Sequence, residues 1–181
     1  MGRFHDIDEN LVIIDSVSKR FSSCGARVGC VITKNKDLQQ AILKFCQSRL
    51  AVATVDQIGA AAMYNVLTPD YYADMRVEYR RRRDAVVEAL SKIPGAKFHV
   101  PDGAFYLMVT LPVDDTEKLQ YFLLEEFEDN GETVMFAPGE PFYGTDGRGK
   151  NEIRIAYVLE VAKLRRAMEL LKLGIERYNQ R

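Results

Sequence analysis

The segment from residue 15 to residue 29 concentrates the side chains with the most chemical potential in this sequence. It holds two hydroxyls (Ser16 and Ser18), one primary amine (Lys19) and one guanidinium (Arg27). A guanidinium fork suits a phosphate dianion, and a lysine amine can form a Schiff base with an aldehyde. These four side chains therefore indicate a ligand that carries both a phosphate and an aldehyde, such as pyridoxal phosphate. The alternative is a polar turn with a surface lysine.

Two short apolar, β-branched runs flank this segment and predict the strands that position it. They cover residues 11–15 and 27–33, so the polar stretch between them is predicted to be a loop. Two helices follow, one after a cap at Asn35 or Asp37 and one after Thr54, because apolar residues then recur three and four apart. Pro69 suits the first turn of a new helix, which places a domain junction near residues 67–70.

The remainder of the chain alternates predicted helices and strands. The long helix of residues 70–92 contains the basic run 80–83, which we interpret as a solvated face because acidic residues interleave with it. We expect a hairpin of strands 97–100 and 105–111, a helix from Asp114 or Asp115 to Asn130–Gly131, strands 133–137 and 152–159 around a glycine-rich loop, and a terminal helix over 161–178. This order predicts an α/β architecture that shades into α+β, with domains 1–68 and 69–181.

Composition excludes several classes of protein. The chain has 181 residues, of which 47% are hydrophobic and 28% charged, as is typical of globular domains rather than disordered or fibrous chains. A net charge of −1 gives no general affinity for nucleic acid. No run approaches the roughly 20 apolar residues that span a bilayer, and residues 1–10 lack a secretory signal. We therefore expect a cytoplasmic protein with no nucleic-acid or membrane partner.

The cysteines and histidines do not indicate a metal site. Cys24, Cys30 and Cys46 lack paired metal-binding spacing, and His5 and His99 stand far apart without acidic or cysteine clusters. We interpret the cysteines as reduced thiols that mostly fill the core.

Four ordered segments resemble the class I and II aminotransferases, which are fold-type I pyridoxal-phosphate enzymes. Ser16-x-Ser18-Lys19 followed by Gly25-x-Arg27-x-Gly29 is similar to the lysine signature of that family. Residues 101–107 (PDGAFYL), 134–139 (VMFAPG) and 153–157 (IRIAY) resemble segments of its small domain in the same order. Among members of the family, the sequence from residue 15 to residue 159 most resembles bacterial aspartate aminotransferases.

The resemblance implies a role for each candidate site residue. Lys19 would be the catalytic lysine that holds the cofactor, with Ser16 and Arg27 on the cofactor phosphate. Arg154 would bind the substrate α-carboxylate, and the alternative is an exposed arginine on an edge strand. Arg49 would reach into the partner subunit's site to bind a distal carboxylate, and the alternative is a plain surface arginine.

The resemblance also implies that the chain matches only the C-terminal part of a family member. Residues 1–68 would be the remnant of the large cofactor-binding domain, and residues 69–181 would be the small domain. Family residues that contact the cofactor ring would all precede this part. We therefore expect a fragment that self-associates or forms a homodimer, and that by itself binds the cofactor weakly or not at all.

The sequence is consistent with three functions. The first is transamination of an amino acid to a 2-oxo acid, most similar to that of aspartate aminotransferases. The second is another fold-type I reaction, such as that of a carbon–sulfur lyase or a cyclopropane-forming synthase. The third is a non-catalytic folding or dimerisation module that retains the motifs of its parent.

Overall fold

The computed structural model describes residues 5–181 and divides the chain into two compact units. The first unit ends at Tyr71, and the second spans Tyr72–Arg181. This division falls close to the predicted junction after residue 68. The assignment of the two parts to a large and a small domain stays a prediction.

The first unit contains a two-stranded antiparallel sheet and three α-helices. Its strands pair from Val12 opposite Thr33 to Ser16 opposite Gly29. Two short 3-10 helices, His5–Asn10 and Cys24–Ala26, accompany β1 (Val12–Ser16), α1 (Val17–Arg20), β2 (Gly29–Thr33), α2 (Lys36–Arg49) and α3 (Thr54–Val66). The segment between the strands, predicted to be a loop, therefore contains a helical turn at α1.

Capping and burial in the first unit refine the predictions. Asn35 caps α2, because its Oδ1 accepts a hydrogen bond from the Leu38 backbone N–H at 2.9 Å. The helix predicted after Thr54 is observed as α3, which begins at Thr54 itself; its N-cap residue, Ala53, provides no side-chain hydrogen bond. All three cysteines are exposed, so the expectation that they mostly fill the core is also wrong.

Most apolar side chains of the first unit face outward. Ile14 and Val55 are each 80% exposed, Phe45 75% and Val66 73%. Among residues 5–71, only Val17, Phe21 and Ala60 are buried apolar residues. The helical periodicity of α2 and α3 thus predicted the helices correctly, although little of their apolar stripes is covered.

The second unit is an α+β fold built on a four-stranded antiparallel sheet. The strand order is β3-β4-β6-β5, so β4 and β6 are central. A long helix, α4 (Pro69–Leu90), leads into β3 (Lys97–Phe98), β4 (Tyr106–Thr110), α5 (Thr116–Glu125), β5 (Ala137–Pro138), a 3-10 helix (Glu140–Phe142), β6 (Glu152–Ala156) and α6 (Val161–Tyr178). The hairpin of β3 and β4 and the mixed architecture are as predicted.

The core of the second unit lies between the sheet and its helices. Alternate residues of the central strands point inward because side chains alternate across a strand. The fully or nearly fully buried set includes Val86 and Leu90 of α4, Leu107 and Val109 of β4, Leu119 and Leu123 of α5, Ile153 and Ile155 of β6, and Leu164 and Leu171 of α6. The intervening residues of β4 and β6, which include Tyr106 and Arg154, lie on the opposite face of the sheet.

Three local predictions in the second unit are wrong. The helix that Asp115 caps ends at Glu125, and Asn130 and Gly131 (φ 55° and 76°) instead form a tight turn between Asp129 and Glu132. The strand expected over residues 133–137 is reduced to Ala137–Pro138. The basic run 80–83 is not wholly a solvated face.

Two arginines of that basic run make specific contacts. Arg82 and Arg83 are half-buried, and they donate hydrogen bonds to the carbonyls of Val158 (2.6 Å) and Pro101 (3.1 Å). They therefore attach α4 to the segments that follow β6 and β3. None of the helices in residues 5–181 combines the length and the apolarity needed to cross a bilayer.

We predict that Gly174→Ala destabilises the second unit. A Cβ at Gly174 would lie 2.3 Å from Cδ2 of Leu123, which is fully buried between α5 and α6. Overpacking of this kind costs about 1–3 kcal/mol, more than the helix propensity that alanine gains. Urea denaturation with α5 and α6 amide exchange as reporters measures the loss. Gly103→Ala is the control, because nothing lies within 4 Å of its Cβ position; equal effects of both variants would contradict the prediction.

We predict that limited proteolysis cuts at two places before it cuts elsewhere. Thr68–Asp70, at the boundary of the units, and residues 144–148, in the glycine-rich loop, are exposed. In contrast, β4 is central in the sheet and contains buried Leu107 and Val109. Mass spectrometry of early fragments locates the cuts, and early cleavage within β4 would refute this architecture.

Candidate active site

Ser16 lies where β1 passes into α1, and its side chain organises that junction. As the N-cap residue of α1, it accepts a hydrogen bond from the Ser18 backbone N–H at 3.1 Å. Its Oγ lies 2.9 Å from Ser18 Oγ and 3.2 Å from the Val28 carbonyl oxygen. The Val17 N–H also donates to that carbonyl, at 3.2 Å. These bonds join the start of α1 to the residue that follows Arg27.

Arg27 occupies an unusual backbone conformation on the opposite side of this junction. Its φ of 55° and ψ of 30° are left-handed, a conformation that favours glycine and that often marks functional sites in other residues. Nη1 donates to the Cys24 carbonyl at 2.9 Å, and the side chain is exposed. Within residues 5–181 this is the one hydrogen bond of the Arg27 side chain, so other guanidinium N–H groups can meet a ligand.

Lys19 lies in α1, with its side chain exposed. The neighbouring cation, Arg20, forms an ion pair with Asp15 at 2.6 Å. The Ser16 backbone N–H and then the Arg20 guanidinium lower the pKa of the Asp15 carboxyl, because both stabilise its charged form. The structure thus brings three predicted residues, Ser16, Lys19 and Arg27, to one strand–helix–strand segment.

Arg49 is separated from that segment along the chain. It is the last residue of α2, it is exposed, and Leu50 follows it with a φ of 67°. This position is compatible with either of its two interpretations. Its role in a partner subunit's site stays a prediction.

Arg154 lies on a central strand of the second unit and is half-buried. The edge-strand alternative is therefore wrong, because β6 is paired on both sides. The guanidinium carbon lies 4.3 Å from the ring centroid of Phe142 and 5.3 Å from that of Tyr106. Within residues 5–181, no carboxylate forms an ion pair with Arg154. This cation is therefore suited to an external anion.

Sequence reasoning missed the aromatic and acidic residues around Arg154. Phe142 and Tyr106 stack on the guanidinium, while the Tyr143 hydroxyl donates a hydrogen bond to the Glu152 carboxylate. This bond raises the pKa of the Tyr143 hydroxyl, because the acceptor is anionic. Two signals in the sequence could have indicated them: Glu152 and Arg154 are two residues apart on a predicted strand and so share a face, and an aromatic pair directly precedes the glycine-rich loop.

The chain matches a known protein family and its relatives. The family model described as "Aminotransferase class I and II" matches residues 4–171. A probable aspartate/prephenate aminotransferase of Aquifex aeolicus is 32% identical over 96% of this chain and 43% of the relative. The chain thus spans about two fifths of the length of the curated relatives it matches.

Solved aminotransferase structures have the same fold as this chain, and the chain again covers about two fifths of their length. An aspartate aminotransferase of Thermotoga maritima has a TM-score of 0.73 and 26% identity over 91% of this chain and 40% of its own. An alpha-aminoadipate aminotransferase of Thermus thermophilus, solved with N-(5'-phosphopyridoxyl)-L-leucine, has a TM-score of 0.78 and 23% identity over 91% of this chain and 41% of its own. Since the family model covers most of its residues, this chain belongs to the class I and II aminotransferases.

Proposed function

We propose that this chain is part of a pyridoxal-phosphate-dependent aminotransferase that exchanges the amino group of an amino acid with a 2-oxo acid. The observation that carries the proposal is the grouping of Ser16, Lys19 and Arg27 on the β1–α1–β2 segment. A structural turn does not require an exposed amine, a capping hydroxyl and a left-handed arginine within one short segment. Membership of the aminotransferase family supports the proposal that this segment binds the cofactor.

The donor set of this segment fits the proposed cofactor. The Ser16 hydroxyl and the Arg27 guanidinium would hold the phosphate, since both can donate hydrogen bonds to its oxygens. The amine of Lys19 would hold the aldehyde carbon. When bound, the cofactor supplies an electron sink for the α-carbon of the amino acid.

Lys19 would have a second role as a general base. In the proposed reaction the Lys19 amine would accept and return the proton of the substrate α-carbon. Lys19 lies in a four-residue helix whose start is capped by Ser16, so the backbone that carries the amine is held by hydrogen bonds. A general base positioned beside the α-carbon supports proton transfer at that atom.

Arg154 would bind the substrate α-carboxylate. Its guanidinium contacts the rings of Phe142 and Tyr106 and forms no ion pair with a carboxylate in residues 5–181, so its N–H groups would be available to bind a carboxylate in a bidentate manner. Fixing that carboxylate determines which bond of the α-carbon is cleaved.

We further propose aspartate as the amino-acid substrate. Two relatives, the A. aeolicus protein and the T. maritima protein, are named for aspartate, and their identity to this chain is 32% and 26%. Arg49 would then meet the second carboxylate of the substrate from the partner subunit. Another fold-type I reaction would use the same Lys19 and Arg154, and product analysis separates the two.

The exposed apolar residues of the first unit favour a second candidate function, that of an association module. Ile14, Phe45 and Val55 are all at least 75% exposed, and apolar surface of this kind favours association. A homodimer or a higher self-associated form would cover them. The two candidates are compatible, because an aminotransferase site can also depend on subunit association.

We predict that Lys19 carries the reactive amine. In a polypeptide as long as the relatives, pyridoxal phosphate followed by borohydride should label Lys19 stoichiometrically, and Lys19→Ala should lose the label and nearly all transamination. In the 181-residue chain we expect weak labelling, because Ser16, Lys19 and Arg27 form only one wall of the site. Peptide mapping by mass spectrometry locates the label. Lys36→Ala is the control, and dominant labelling of any other lysine would overturn the assignment.

We predict that the two arginines can be distinguished by kinetics in the longer polypeptide. Arg154→Ala should raise KM for both the amino acid and the 2-oxo acid by roughly 10- to 100-fold, because this change corresponds to the free energy of one charge-assisted hydrogen bond. The cofactor should still be bound. Arg27→Ala should instead weaken cofactor retention, measured by dialysis and absorbance. Arg165→Ala, an exposed arginine of α6, is the control. Loss of cofactor in Arg154→Ala would contradict these roles.

We predict that the chain self-associates through the first unit. Light scattering at rising concentration should show species larger than a monomer, and Phe45→Ser together with Val55→Ser should reduce them, since each removes an exposed apolar side chain. Leu124→Ser, on an exposed position of α5 in the second unit, is the control. A strictly monomeric chain at high concentration would refute the association proposal.

A further inference from the structure

Glu152 and Arg154 are placed where an ion pair is expected, yet they do not form one. They lie two residues apart on β6, so their side chains project from the same face, about 7 Å apart at Cα. Side chains of this length reach each other easily over such a distance. Within the described part of the chain, the Glu152 carboxylate is instead held by the Tyr143 hydroxyl.

Tyr143 directly precedes the glycine-rich loop, and its ring contacts residues at the far end of that loop. The Arg148 guanidinium carbon lies 4.8 Å from the centre of its ring. Gly149, with a φ of 78°, approaches so closely that a Cβ there would lie 2.5 Å from Cε2 of Tyr143. The loop is closed further by Glu140 Oε1, which accepts a hydrogen bond from the Gly147 N–H at 2.9 Å. These contacts position the ring whose hydroxyl meets Glu152.

The segment that precedes this loop also contacts Arg154. Phe142, the residue before Tyr143, stacks on the guanidinium at 4.3 Å. Two consecutive aromatic residues thus contact two charged side chains on one face of β6. Phe142 contacts the Arg154 guanidinium, and Tyr143 donates a hydrogen bond to the Glu152 carboxylate. The guanidinium stays oriented without being neutralised.

We propose that Tyr143 is a positioning residue that keeps the Glu152 carboxylate away from Arg154, so that Arg154 stays available to the carboxylate of a 2-oxo acid or amino acid. The proposal rests on the proposed role of Arg154. Without the hydroxyl, Glu152 would be a competitor tethered to the same strand. A tethered group acts at an effective concentration in the millimolar range or above, which competes with a freely diffusing substrate.

The test is a double-mutant cycle on the 181-residue chain with 2-oxoglutarate as the probe. The dissociation constant is measured by titration of the Arg154 side-chain NMR signals. Tyr143→Phe keeps the ring but removes the donor, and we expect it to weaken binding about tenfold, equivalent to about 1.4 kcal/mol. Glu152→Gln should change the constant less than about twofold, and the double variant Tyr143→Phe/Glu152→Gln should return to within about twofold of the original chain.

Recovery of binding in the double variant distinguishes competition by Glu152 for Arg154 from a distorted loop. If Tyr143 only supports the loop, the double variant binds as weakly as Tyr143→Phe or more weakly, and the proposal is overturned. Unchanged binding in Tyr143→Phe would also overturn it. Gly149→Ala, which must displace the Tyr143 ring, provides a second route to the same loss and the same rescue by Glu152→Gln. Tyr121→Phe, an exposed tyrosine of α5, is the control for loss of a hydroxyl.

A direct spectroscopic readout keeps this inference separate from the proposed function. If 2-oxoglutarate does not bind the original chain, the proposed role of Arg154 fails for this chain. The Arg154 Nε–H signal then decides the positioning role: we expect it to shift in Tyr143→Phe, as an ion pair with Glu152 forms, and to return in the double variant. An Arg154 signal that is identical in all three proteins would overturn the proposal.

Discussion

The alternation of side chains along the two central strands is the constraint on which the second unit depends. In β4 and β6 one set of alternate residues, including Val109 and Ile153, is fully buried against the helices. The intervening set, including Tyr106 and Arg154, must then lie on the opposite face. The packing of the core therefore fixes the direction of the arginine, and a shift of register by one residue would exchange the core and the candidate site.

The first unit depends on local hydrogen bonds far more than on a core. Ser16 caps α1 and contacts the Val28 carbonyl, and the left-handed Arg27 precedes that residue. Few apolar side chains are buried around this junction, and many are exposed. The chain spans about two fifths of the length of its relatives.

The glycine-rich loop connects the fold to the chemistry of Arg154. Gly139 and Gly149 allow backbone approaches to Glu152 and Tyr143 that a side chain would prevent. These approaches place an aromatic pair over the open face of the sheet. A segment without regular secondary structure over most of its length therefore positions both aromatic side chains through its hydrogen bonds and ring contacts.

Short-range patterns in the sequence determined the helices, the central strands and the grouping of Ser16, Lys19 and Arg27, because capping, periodicity and motif spacing act within a few residues. The resemblance added roles for Arg154 and Arg49 that no local pattern contains. Tertiary structure alone decided that α5 ends at Glu125, that the cysteines are exposed and that Arg154 is central. It also decided that Glu152 bonds to Tyr143, because that partnership depends on how a loop folds back over a strand, and the linear spacing would have favoured Arg154.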